Sequence, residues 1–125
     1  MNKGRKASGG RYKKQRKKKH HEKIGKVRTV KINERKTKSI KKRGGGRRKV
    51  LVTSNIINLI DKKTKKATKA KILNVLETPS NRFLARQNIL LKGSIIETDK
   101  GKAKITNRPS QEGSVQGTLI QEEKQ

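Results

Sequence analysis

Cysteine and tryptophan are absent from this chain, and phenylalanine and tyrosine occur once each, as Phe83 and Tyr12. Without cysteine there is no disulfide, no thiolate zinc site and no cysteine nucleophile. With so few rings the chain lacks the stacking platforms that single-strand binders and RNA-recognition sheets use, so recognition by backbone and folded shape is favoured over base readout. Apolar residues make up 27% of the chain, against roughly 45–50% in ordinary domains, which excludes a large core. No apolar run approaches the roughly 20 residues of a membrane helix. The basic N-terminus is not followed by the apolar segment of a secretory signal. Acidic residues are scarce as well: nine face 37 Lys and Arg, for a net charge of +28. A free compact domain at that charge density repels itself, and a polyanion, most often a phosphate backbone, is the natural remedy. The expectation is a soluble intracellular protein associated with nucleic acid.

Catalysis has little to draw on. His20 and His21 are the only histidines, and two adjacent imidazoles beside Glu22 do not build a tetrahedral zinc site. Both lie far from the acids of the C-terminal half, so no Ser-His-Asp set forms. An enzyme, a metal site, a cofactor, a small-molecule substrate and a membrane partner are all unexpected.

Charge and apolar residues divide the chain unequally. Residues 1–49 hold 23 Lys/Arg and 2 acids, whereas residues 50–125 hold 14 and 7. The apolar residues run the other way, 8 before residue 50 and 26 after it. The first part cannot bury enough surface to offset its ordering entropy. We therefore expect a basic extension over residues 1–34, a transition over 35–49, and a small compact domain within 35–125. Fully extended, the arm reaches up to roughly 110–120 Å, a shape suited to threading along phosphate backbones and folding on contact.

The second part reads as strands. Residues 50–53, 56–60, 71–76, 89–91, 94–98, 102–106 and 117–120 are short, rich in Ile, Val and Thr, and separated by Gly, Pro, Asn and Asp. Residues 37–41 suggest a further edge strand. Asp99-Lys100-Gly101 reads as a three-residue hairpin loop. A looser hairpin joins residues 56–60 to 71–76, its tip carrying Lys62, Lys63, Lys65, Lys66 and Lys69. One helical turn is expected at residues 81–86, capped by Ser80 or Asn81, with Phe83 and Leu84 anchoring into the core. The fold class is mainly β: a small β-barrel of short antiparallel strands, which also removes exposed edges, with a long basic extended N-terminal arm.

Phosphate contacts without base readout are expected from Arg5, Lys6, Arg11, Lys13, Lys14, Arg16, Lys17, Lys18 and Lys19 in the arm. The run Arg43-Gly44-Gly45-Gly46-Arg47-Arg48-Lys49 lacks the lysine spacing and following helix of a nucleotide-binding P-loop. Its glycines either allow close approach to another backbone, with the flanking guanidiniums on phosphate, or form a plain hinge. Arg82 and Arg86, at i and i+4, should share a face and act as one phosphate clamp. Arg108 completes the set.

The run Thr78-Pro79-Ser80-Asn81-Arg82-Phe83-Leu84-Ala85-Arg86-Gln87-Asn88 and its continuation to Thr98 closely resembles a small-subunit ribosomal protein of archaea and eukaryotes. It is protein eight of e type, unrelated to the bacterial protein of that numeral. Ala7-Ser8-Gly9-Gly10-Arg11, Lys42-Arg43-Gly44-Gly45-Gly46-Arg47-Arg48-Lys49 and the segment from Gly101 to Gly113 resemble that family's other elements in order, and the length resembles its short archaeal form. The resemblance implies a small β-barrel bound to small-subunit ribosomal RNA beside neighbouring small-subunit ribosomal proteins in the cytoplasm. It implies a basic extension entering the RNA and a role as a structural constituent of the ribosome. A chromatin-type DNA architectural protein is the competing reading, but such proteins insert apolar wedges from an ordered element, and none is evident. A factor that binds ribosomes transiently would not need so long an arm.

Binding to a small-subunit ribosomal RNA fragment should fall steeply with salt. About fifteen neutralised phosphates give a log–log slope on the order of −10 to −13, at roughly 0.7–0.9 per contact. A measured slope shallower than about −3 contradicts this reading.

Overall fold

Period-two alternation builds the core. In the strand Ile56–Ile60, Ile57 and Leu59 are fully buried while Ile56 and Ile60 face out, and in Gly101–Ile105 the buried pair is Ala103 and Ile105. The computed structural model describes residues 4–13, 16–23, 25 and 27–120. Among these the strands are β1 (Lys36–Lys41), β2 (Arg47–Thr53), β3 (Ile56–Ile60), β4 (Ala67–Glu77), β5 (Ile95–Thr98), β6 (Gly101–Ile105) and β7 (Gln116–Leu119), with a helical turn α1 (Arg82–Arg86) between β4 and β5. Short 3-10 turns cover His20–Glu22 and Pro109–Gln111.

Strands β3 to β7 form a closed barrel in chain order, as expected. Consecutive strands are antiparallel, but the closing pair, β3 with β7, is parallel (Asn58↔Gln116, Leu59↔Gly117, Ile60↔Thr118). An up-and-down order with an odd number of strands leaves the first and last pointing the same way, so the closure is parallel by counting. It depends on Gly117. A Cβ there would lie 2.8 Å from the Lys104 carbonyl oxygen and 2.9 Å from Ile57 Cδ1.

β1 and β2 form a separate two-stranded ribbon. Its root is held by Val50 and Leu51, both buried, and by the Leu51 N–H donating to the Glu112 carbonyl at 2.9 Å. The segment ahead of β1 is also built in. Val30 is fully buried in the core, its carbonyl accepting from Leu90 N–H at 2.8 Å, and Lys31 bridges both Thr53 and Ile89. Thr78 and Ser94, the buried hydroxyls beside the barrel, share a hydrogen bond at 3.2 Å.

Several local expectations need correction. Residues 89–91 are not a barrel strand. Ile89 makes only isolated bridge pairing with Lys31, because left-handed Asn88 (φ 54°) and Gly93 (φ 85°) bound a segment too short to run on as a strand. The Asp99 hairpin has a two-residue loop, since Gly101 (φ 113°) already pairs with Thr98. β4 starts at Ala67, so Lys69 lies in the strand opposite Asn58 and the tip is residues 61–66. Phe83 is not a core anchor: it is 68% exposed. α1 is a single turn whose Ala85 packs on the barrel, so Phe83, two residues earlier, points away. Asn81, of the two caps considered, serves, its Oδ1 accepting from Phe83 N–H at 3.0 Å.

β4 carries two register shifts against β5, between Ile72 and Asn74 and between Val75 and Glu77. The residues skipped are Leu73 and Leu76, which explains why both leucines are exposed. A bulge turns its extra residue out of the alternation and bends the strand.

Unfolding melts should separate these roles. Gly117→Ala should cost about 1–3 kcal/mol by overpacking and Ile57→Ala about 2–5 kcal/mol. Phe83→Ala should stay within about 0.5 kcal/mol, as exposed substitutions do.

Candidate nucleic-acid interface

Cations project from the arm, the β1–β2 ribbon, the β3–β4 tip and the groove beside α1. In the arm, Arg5 and Arg11 bridge across a tight loop closed by Lys6 N–H to Gly10 carbonyl (2.8 Å) and Gly9 N–H to Lys6 carbonyl (2.9 Å), with Gly9 at φ 77°. Lys6 sits over the Tyr12 ring, 5.8 Å from its centre. Lys13, Lys17, Lys18 and Lys19 are exposed. Arg16 is committed: its guanidinium donates twice to the Glu22 carboxylate, at 2.6 and 2.8 Å. That fork first, and then the Lys19 N–H, holds the Glu22 carboxyl below its usual range, and the same fork raises the Arg16 guanidinium. Lys14 lies outside the described residues.

The glycine-rich run turns out to be a hairpin turn within the ribbon, not a hinge between arm and domain. It joins β1 to β2, closed by Lys42 N–H to Gly46 carbonyl at 2.7 Å. Gly44 and Gly45 are both left-handed (φ 81° and 84°), a pair of conformations that only glycine adopts cheaply. Among the described residues, chain neighbours aside, nothing lies within 4 Å of where a Cβ would be on Gly44, Gly45 or Gly46, so the tip is open to another backbone. Arg43, Arg47, Arg48 and Lys49 are all exposed around it. Register places Lys41 directly across from Arg47. Like charges opposite one another weaken a strand pair, so the ribbon is locally frustrated in the free chain.

The β3–β4 tip presents Lys62, Lys63, Lys65 and Lys66 on a defined turn. Asp61 organises it, accepting from Lys63 N–H at 2.9 Å and the Thr64 hydroxyl at 2.8 Å. These bonds, the Lys63 N–H first, lower the Asp61 carboxyl from its ordinary value. Arg82 and Arg86 do come together: both line a groove of about 660 Å³ between β4 and α1. Arg108 is exposed just before the Pro109–Gln111 turn.

Arg35 escaped the sequence reading, and Lys69 was read on the hairpin tip instead of in β4. Arg35 and Lys69 line a smaller cavity of about 240 Å³ with Ser54, Asn58 and Ser114. The Arg35 guanidinium is fixed there by a hydrogen bond to the Gly113 carbonyl at 3.0 Å. Alternation from a strand beginning at Ala67 would have turned Lys69 outward beside Asn58. Nothing local in the sequence links Arg35 to residue 113. Among the described residues no group of three or more His, Asp or Glu could hold a metal ion, and no helix is long and apolar enough to cross a membrane.

Fold and surface thus define a small basic barrel protein that presents cations on a ribbon, a hairpin tip and a groove. The model of the family described as Ribosomal protein S8e matches residues 1–120. A small ribosomal subunit protein eS8 from Nanoarchaeum equitans is 47% identical over 92 residues, covering 74% of this chain and 72% of its own length. One from Methanococcus aeolicus is 41% identical over 120 residues, covering 94% and 93%. Another from Sulfolobus acidocaldarius is 38% identical over 122 residues, covering 97% and 95%. The chain belongs to the ribosomal protein S8e family, and it is not an enzyme.

Arg82→Ala and Arg86→Ala should each make the salt slope of binding to small-subunit ribosomal RNA shallower by roughly 0.7–0.9, with unfolding midpoints unchanged. Slopes equal to that of the unsubstituted chain mean that neither guanidinium meets a phosphate.

Proposed function

We propose that this protein is a structural constituent of the small ribosomal subunit that binds and stabilises small-subunit ribosomal RNA through phosphate contacts. It works in the cytoplasm, supporting subunit assembly and translation. Membership of the S8e family supplies the ribosomal role. One observation carries the RNA-binding mechanism: nine carboxylates cannot neutralise 37 cations, and the structure spends that excess on organised protrusions, to the point of setting Lys41 across from Arg47. Such an arrangement lowers its own repulsion only when anions lie between and around the strands.

The work divides along the chain. Residues 1–34 act as the RNA-entering extension, joined to the core where Val30 is buried, and residues 35–125 carry the barrel that fixes their point of departure. The β1–β2 ribbon, the residue 61–66 tip and the β4–α1 groove then give the barrel three separate holds on folded RNA. Phosphates screened at several points let RNA helices pack more closely than their mutual repulsion otherwise allows. Neighbouring small-subunit proteins complete its surroundings.

Sucrose-gradient sedimentation tests the assignment. The protein should co-migrate with the small subunit and resist moderate salt. Removal of residues 1–26 should lower the salt concentration at which it dissociates. Recovery of the protein free of the small subunit at low salt overturns the reading.

A further inference from the structure

The groove between β4 and α1 is not built like a simple phosphate cleft. Arg82 and Arg86 line it, but so does Glu77, a carboxylate that repels phosphate. Among the described residues the Glu77 side chain accepts no hydrogen bond and meets no cation. The groove is also lined by Val75, Leu76 and Ala85, of which Leu76 is the one exposed to water, and by the amides of Asn74 and Asn88. Both amide oxygens turn to the Val75 N–H, at 3.0 and 3.3 Å, which leaves the two NH₂ groups as donors facing outward.

The groove is held by unusual backbone. Leu76 is the bulged residue of β4 that lets Glu77 pair with Ile95, and Asn88 is left-handed at φ 54°. Bulges recur where a strand must re-aim side chains at a ligand. The volume, about 660 Å³, lies within the roughly 300–1,000 Å³ of small-molecule sites. A paired duplex offers phosphates and groove edges to such a cleft but cannot put a base into it.

We propose that this groove seats one unpaired nucleotide of the RNA, with guanine favoured. Arg82 and Arg86 hold its flanking phosphate. The base lies against the exposed Leu76 side chain, and Glu77 accepts from its edge. A carboxylate offers two acceptor oxygens side by side, and guanine presents two adjacent donors, N1–H and the N2 amino group. The chain's scarcity of rings is compatible with this, because the base is held by its edge and an aliphatic side chain and needs no stacking partner. The proposal rests on the RNA-binding reading above and adds a specific nucleotide to it.

The test uses the full chain and three synthetic RNA duplexes: one fully paired, one with a single bulged guanosine and one with a bulged inosine, which lacks the N2 amino group. The bulged-guanosine duplex should bind about 5- to 150-fold more tightly than the paired one, the span of one good side-chain–base pair, with inosine between them. Glu77→Gln should abolish the preference for guanosine over inosine while leaving the salt slope and the unfolding midpoint unchanged. If the unsubstituted chain binds all three duplexes equally, the nucleotide seat is wrong although RNA binding stands. If Glu77→Gln tightens binding to all three alike, Glu77 only repels backbone and the groove is a phosphate clamp. If no duplex binds at low salt, the RNA-binding reading itself fails.

Discussion

Everything in this molecule hangs on the parallel closure of β3 against β7. The barrel has few apolar residues to spend, and a flat sheet of five short strands would leave two edges and one apolar face to water. Joining Leu59 to Gly117 removes both edges and encloses Ile57, Leu59, Ile96 and Ile105 on all sides. Gly117 is what lets β7 come that close. Closure also positions the loop at residues 112–115, because Asn58 N–H donates to the Val115 carbonyl at 3.0 Å. That loop in turn anchors Leu51 of β2 and the guanidinium of Arg35. The basic ribbon and the smaller cationic cavity are thus positioned by a contact on the far side of the sheet order.

Most of the barrel was legible because its determinants are local. Alternating Ile, Val and Thr runs with turn residues between them place β3, β5, β6 and β7 within a residue or two of where they lie, and Asn81 announces the helical turn. The errors have one physical source. Residues 89–91 read as a strand because Ile-Leu-Leu is apolar, yet their burial comes from the chain at Val30–Ile32, nearly sixty residues earlier. Phe83 read as an anchor because it points away from the face of Arg82 and Arg86, but a one-turn helix buries one side only and Ala85 occupies it. The start of β4 was missed because Ala67, Thr68 and Lys69 carry no apolar alternation of their own; their pairing to β3 is what makes them a strand.

The candidate interface was legible in composition and less so in shape. Charge runs identify which residues are cationic without saying which converge. The i, i+4 spacing did bring Arg82 and Arg86 to one groove. The glycine run invited a reading as a hinge or a close-approach loop; two successive positive φ values make it a turn within a ribbon, which removes the hinge and leaves the close approach open. Arg35 with Gly113, and Glu77 with Asn88, are brought together only by tertiary structure.

Departures from local good sense mark the working surfaces of this fold. Lys41 across from Arg47, two bulges that expose leucines, a left-handed asparagine and a glutamate that meets no cation among the described residues while sharing a groove with two arginines each make the free protein less comfortable. They do not scatter over the molecule. The first lies on the ribbon, and the others gather at β4 and α1. The rest of the barrel is satisfied, with no buried side-chain polar atom left unpaired among the described residues. A basic tail meant only to add charge would need none of this architecture, since screening depends on the number of cations and hardly on their arrangement. The barrel therefore serves to aim charge. It holds a ribbon, a tip and a groove at fixed separations, so that on the proposed RNA-binding reading the phosphates they meet belong to an RNA folded in one particular way.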